Sequence, residues 1–125
     1  MAEFIFKDIV KRNHLENDYY CESRAVSEDA LGWDMNRYAR DTLDKHNVPY
    51  GKHTSKLITK KDYDRFDIIF LMDERNRRHF FNRMDDPFGK VRLLNSEDIE
   101  DPWYTGDFEK AYLDIEDGIL RFLNL

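Results

Sequence analysis

Apolar positions at the start of the chain recur at Ala2, Ile5, Phe6, Ile9 and Val10. That i, i+3, i+4, i+7, i+8 spacing predicts a helix with one buried stripe, and Asn13-His14 is its expected stop. The pattern then alternates over Tyr19–Val26, which predicts a strand. Met35, Tyr38, Ala39, Thr42, Leu43 and His46 return to helical spacing. This second helix should end before Pro49, because a proline disfavours helical geometry in the residue preceding it. Thr59-Lys60-Lys61-Asp62 has the form of a capping box with Asp in place of Glu, opening a short helix. The continuous apolar run Phe66–Met72 predicts a strand buried on both faces. Asp73 is expected to cap a helix carrying Arg77, Phe80, Phe81 and Met84, and Lys90–Leu94 reads as a third strand. Gly106-Asp107 opens a last helix with Phe108, Ala111, Tyr112, Ile115, Ile119, Phe122 and Leu123 on one face.

Strands alternating with helices predict a three-layer α/β/α fold with a small parallel sheet. Parallel sheets are covered on both faces and usually hold about four to six strands. Here the chain opens on a helix and offers only three, so the order of elements implies that a first strand is missing.

Composition narrows the functional classes. The 125 residues suit a single domain over 1–125. Lys and Arg number 20 against 26 Asp and Glu, for a net charge of −6. Nine carboxylates and one cation, Lys110, fall between Asn95 and Asp117, leaving 19 cations and 17 anions elsewhere. With no basic excess, no nucleic-acid partner is expected, since such affinity comes mostly from phosphate neutralisation. The acidic block reads as a solvated helix face and loop. One cysteine excludes a disulfide framework and fits a reducing, cytoplasmic location. No apolar run approaches a membrane span and no signal-peptide pattern opens the chain, so no membrane partner is expected.

Few residues offer chemistry. Cys21 lies in a predicted strand beside Glu22, which raises a thiol pKa, and reads as a structural cysteine rather than a nucleophile. The sixth residue after it is Ser27, so it opens no Cys-x5-Arg anion-binding loop. His14, His46, His53 and His79 show no metal-ligand spacing, and Gly32, Gly51, Gly89, Gly106 and Gly118 are too scattered for a phosphate loop. No metal or cofactor is expected. Arg75–Arg83 mixes cations with aromatics as an RNA patch can. Its helical spacing instead places Phe80, Phe81 and Met84 inward and the arginines outward. Glu100-Asp101-Pro102-Trp103-Tyr104-Thr105-Gly106-Asp107 is the most informative string. An Asp held by a following Pro, with two aromatics behind it, can present a general acid beside a pocket for an aromatic substrate.

Asp101-Pro102-Trp103-Tyr104 resembles the Asp-Pro-(Tyr/Trp)-Tyr loop of the low molecular weight protein tyrosine phosphatases. Glu22-Ser23-Arg24-Ala25-Val26-Ser27, Gly51–Thr59, Asp62–Asp67 and Met72-Asp73-Glu74-Arg75-Asn76 are similar to further segments of that family, in the same order. By that resemblance Asp101 is the general acid and base, and Trp103 and Tyr104 line the mouth for a phosphotyrosyl ring. Ser23 and His53 match positions that support the catalytic loop from behind. The family attacks phosphorus with the thiolate of a Cys-x5-Arg-Ser-Pro loop, forming a phosphocysteine. Met1–Phe6 is similar to the helix that follows this loop, and neither the loop nor the strand before it occurs in the sequence. Leu57 stands where Gln is usual, Lys56 where Arg is frequent, and Trp33-Asp34 where Pro is common.

The expectation is therefore a homologue that is N-terminally truncated and inactive for want of a nucleophile. In the intact family the partners are a phosphotyrosine protein or a small aryl phosphate. A non-catalytic binding relative using the same mouth is the alternative, with an arsenate-reductase-like protein a weaker one. Without the first strand, the segment at Tyr19–Val26 should pair directly with that at Phe66–Met72, or a homodimer partner should fill the gap.

Overall fold

The computed structural model describes residues 1–28 and 34–125, so Gly32 and Trp33 lie outside the described residues. Helix α1 (Ala2–Arg12) buries Ile5, Ile9 and Val10. It stops where the sequence expects: the Asn13 side-chain amide donates to the Ile9 carbonyl at 2.7 Å, and His14 takes a φ of 59°. Helix α2 (Arg37–Lys45) starts when the Asn36 side chain accepts the Tyr38 N–H at 2.7 Å, two residues later than the apolar pattern alone implied. Helix α3 (Lys60–Arg65) carries both halves of its capping box. Thr59 Oγ accepts from the Asp62 N–H at 3.2 Å, and Asp62 Oδ2 accepts from the Thr59 N–H at 3.0 Å. Strand β1 (Ile69–Leu71), helix α4 (Glu74–Arg83), strand β2 (Val91–Leu93), the short helix α5 (Pro102–Thr105) and helix α6 (Phe108–Leu123) complete the order.

β1 and β2 pair in parallel, with Ile69 opposite Val91 and Leu71 opposite Leu93. Their side chains alternate between two cores, as the period of a strand requires. On one side Phe70 and Leu94 meet Ile5, Ile9, Leu43, Tyr112, Ile115 and Ile119 from α1, α2 and α6. On the other, Ile69, Leu71, Val91 and Leu93 meet Tyr63 and Phe80 from α3 and α4. The result is the expected α/β/α layering, an α/β fold with a small parallel sheet. Gly118 lets α6 approach the sheet closely, since a Cβ there would stand 2.7 Å from the Leu94 carbonyl oxygen.

Two expectations about the sheet are corrected. Tyr19–Val26 is not a strand: Ala25 alone forms a parallel bridge, to Leu57, by accepting from the Ile58 N–H at 2.9 Å and donating to the Lys56 carbonyl at 2.7 Å. The segment 56–58 that receives it carries no strand signal of its own. Elsewhere the stretch is tied by side chains. Ser23 gives its N–H to Glu3, the Tyr19 ring sits edge-on to Phe6 and Phe122, and Arg24 pairs with Asp62. With these satisfied, alternation no longer implies a ladder.

Nor does this segment pair directly with β1. The segment is joined instead to the end of α3, ahead of β1, by the parallel stack of Tyr20 on Phe66, 6.0 Å between centroids, and by the Glu22–Arg65 ion pair. β1 is also shorter than the run Phe66–Met72, because its hydrogen-bonding extends only as far as its single partner strand. A third correction concerns Phe81. It is 44% exposed and packs edge-on against the buried Phe80 rather than turning inward.

Candidate active site

The loop ahead of α6 is shaped by its own sequence. Asp101 is the N-cap of α5, with Oδ1 accepting from the Trp103 N–H at 2.9 Å, and Pro102 occupies the first helical position, where no N–H is needed. Gly106 closes the turn at φ 75°, its N–H donating to the Pro102 carbonyl at 2.8 Å. This geometry orients the Asp101 carboxyl on an exposed residue. Trp103 and Tyr104 stand beside it, 63% and 65% exposed.

The sequence reading missed Arg75. From the first turn of α4 its Nη1 donates to the Tyr104 hydroxyl at 2.7 Å, and its guanidinium lies 5.1 Å from the centre of the Tyr104 ring. Arg75 thereby links α4 to the acid loop. The signal was present as a guanidinium within Met72-Asp73-Glu74-Arg75-Asn76, at the position where the resembling motif has Ser. An open cavity of about 350 Å³ lies at this junction, lined by Asp73, Glu74, Arg75, Arg78, Asp98, Glu100, Asp101, Tyr104 and Thr105. Among the described residues, no group of three His, Cys, Asp or Glu side chains is arranged to hold a metal ion.

Ser23 and His53 gather instead around the start of α1. Ser23 donates to Glu3 Oε1 through its N–H at 3.0 Å and its hydroxyl at 2.7 Å. The His53 ring meets Phe4 edge-on at 6.3 Å, and its backbone N–H donates to Asp34 at 3.0 Å. Burial pushes the Glu3 carboxyl up, but hydrogen bonds from Lys7 and Ser23 outweigh it and hold the pKa below the ordinary value. Asp34 is likewise held low, by the backbone N–H groups of Met35 and His53.

Cys21 is a free, partly buried thiol. Burial, reinforced by the nearby Glu3 carboxylate, pushes its thiol up to about 12, so it stays protonated at neutral pH. It lines a separate apolar cavity of about 210 Å³ with Phe6, Val10 and Tyr19. Among the described residues, no helix is long and apolar enough to cross a membrane.

Residues 1–124 match the family described as low molecular weight phosphotyrosine protein phosphatase. The chicken low molecular weight phosphotyrosine protein phosphatase is 32% identical over 123 residues, covering 90% of this chain and 77% of the relative. A low molecular weight protein tyrosine phosphatase from Streptococcus pyogenes superposes with a TM-score of 0.90 at 30% identity, covering 98% of this chain and 81% of the other. A Drosophila arginine phosphatase superposes with a TM-score of 0.85 at 30% identity, covering 98% and 86%. The chain belongs to the low molecular weight phosphotyrosine protein phosphatase family.

Proposed function

We propose that residues 1–125 carry the acid and aromatic-wall half of a phosphotyrosine phosphatase site, and that on their own they do not turn over aryl phosphates. The observation that carries this reading is the pairing of an oriented Asp101 with an exposed Trp103–Tyr104 wall, in a chain whose single thiol is pushed well above its ordinary pKa by burial. In a complete site Asp101 protonates the departing tyrosine oxygen as the P–O bond breaks. It then takes a proton from the water that attacks the phosphocysteine. Trp103 and Tyr104 hold the leaving ring, and Ser23 and His53 brace the nucleophile loop from behind. No Cys-x5-Arg string occurs within residues 1–125, so the thiolate, the amide nest and the phosphate-binding guanidinium must come from elsewhere.

The test is para-nitrophenyl phosphate hydrolysis by the 125-residue chain. Turnover at the background rate is expected, because groups that act as a catalytic unit fail together. Measurable turnover that is insensitive to Asp101→Ala would overturn the proposal. Reading the nucleotides upstream of the Met1 codon separates two forms of the idea. An in-frame Cys-x5-Arg-Ser-Pro means a truncated enzyme, and its absence means a non-catalytic relative that uses the mouth for binding. A second reading replaces phosphotyrosine with phosphoarginine. The similarity to an arginine phosphatase supports it, as do the carboxylates of Asp73, Asp98 and Glu100 around the cavity, which suit a guanidinium leaving group. Competition between phosphoarginine and phosphotyrosine peptides for the chain decides between them.

A further inference from the structure

The outward face of α4 carries an uncommon arrangement. Phe81 is 44% exposed, and the turn of helix before it holds Arg77 and Arg78, at i−4 and i−3, both reaching solvent. Residues three and four apart share one helix face, so the two guanidiniums flank the ring. Glu74 offsets this charge only in part, meeting Arg77 at 3.7 Å with both side chains about half exposed. Arg78 has no carboxylate partner among the described residues. Exposed Phe and Arg side chains set together are the residue types that anchor protein interfaces.

The face continues into the candidate site. Arg75 begins the same helix and holds Tyr104, while Arg78 lines the cavity that Asp101 borders. Guanidiniums therefore run along α4 from the mouth, where Arg75 and Arg78 already stand among carboxylates, to Arg77 on the face that Phe81 shares. Six residues separate Arg75 from Phe81, roughly 9 Å along a helix axis at about 1.5 Å per residue. An extended peptide covers that distance with about three residues at roughly 3.3 Å each.

We propose that α4 selects the protein substrate. Its face receives an extended phosphotyrosine segment that carries carboxylates two or three residues from the phosphotyrosine and an apolar side chain beyond them. The carboxylates pair with Arg77 and Arg78, and the apolar side chain covers Phe81. This inference rests on the phosphotyrosine reading for the identity of the central residue. It adds the flanking chemistry, which that reading leaves open.

Fluorescence anisotropy with four labelled peptides tests it: glutamate-flanked and lysine-flanked versions, each phosphorylated and unphosphorylated. The glutamate-flanked peptides are expected to bind about fivefold more tightly than the lysine-flanked ones, with the difference shrinking as salt rises. The double variant R77E/R78E should reverse that preference. R83E, which changes the same charge on another face of α4, should leave it in place. Equal binding of the two flanks, or a preference that survives R77E/R78E, overturns the inference. Tighter binding of a single-stranded oligonucleotide than of the acidic peptides, abolished by R77E/R78E, also overturns it. A glutamate preference that R77E/R78E reverses, while a fifth peptide with alanine at the tyrosine position binds as tightly, upholds the α4 face and counts against the aromatic mouth, so the two failures are distinguishable.

Discussion

The two cores on either side of the sheet are built from different kinds of information. The larger joins α1, α2 and α6 and contains nine buried side chains, among them Ile5, Ile9, Leu43 and Ile119. The smaller lies under α3 and α4 and contains four, Ile58, Tyr63, Leu71 and Phe80. Three helices, each with its own apolar stripe, close the first. The second depends on two strands of three residues whose only ladder, among the described residues, is to each other. A helix satisfies its backbone within itself and can offer its side chains at once, whereas a strand needs a neighbour to exist at all. The larger core is therefore robust to what happens at the front of the sheet, and the smaller one is where a break in the sheet is felt.

The most severe test of that contrast is Phe80→Ala. Phe80 has no exposed surface and is the largest fully buried side chain among the described residues, set in a core of four, so its neighbours cannot collapse into the space. A loss of about 3–5 kcal/mol is expected in denaturant unfolding. A smaller loss than that from Leu43→Ala in the larger core would reverse the ranking. Gly118→Ala tests the seam between α6 and the sheet. The new Cβ would meet Leu94 backbone at 2.7 Å, a contact that a side-chain rotation cannot relieve, and about 1–3 kcal/mol should be lost despite alanine's better helix propensity. Unchanged stability would mean that α6 slides freely over β2.

Asp62 ties α3 to the 19–26 segment through Arg24, and it completes the Thr59 capping box. Burial raises its pKa, but hydrogen bonds from Thr59 and the Arg24 guanidinium more than offset this, leaving it below the ordinary value. A carboxyl lowered on folding contributes stability that is present above its unfolded pKa, near 4, and is lost as pH falls through the lower folded value. The wild-type chain should therefore lose stability on acidification below about pH 4, where Glu3 acts in the same sense. Asp62→Asn should cost about 1–2 kcal/mol at neutral pH and flatten that acid limb in thermal unfolding. An unaltered pH profile would assign the limb to other carboxyls. The smallest effect is expected from Arg75→Ala. An exposed hydrogen bond is worth under about 1 kcal/mol, so global unfolding should barely move. Trp103 fluorescence and amide exchange in α5 should nonetheless report a looser acid loop, and unchanged exchange would remove Arg75 from any positioning role.

Much of this molecule could be read in one dimension. The stripe of α1, the Thr59–Asp62 box, the Asp73 cap and the Asp101-Pro102 turn are local devices, each complete within a few residues, and each stands where the sequence places it. The turn at Asp101, Trp103 and Tyr104 was legible for the same reason, since one short string builds it. Tyr19–Val26 was misread because alternation signals a strand only where a partner is available. Here Glu3, Phe6, Phe66 and Phe122 take up the segment instead. Phe81 was misread because one residue's step along a helix separates a buried face from a rim, and Phe80 already fills the space beneath.

Written into the chain are the five longer helices, most of their caps and stops, the Asp101-Pro102 turn, and the absence of a Cys-x5-Arg string from these 125 residues. All of these depend on contacts within about one turn of the chain. Only the tertiary structure decided which segment pairs with Ala25, how few residues the sheet retains, that Cys21 is held protonated, and that Arg75 reaches 29 residues along the chain to hold Tyr104. Those outcomes turn on burial and on partners far away in sequence, and both exist only once the chain has closed on itself.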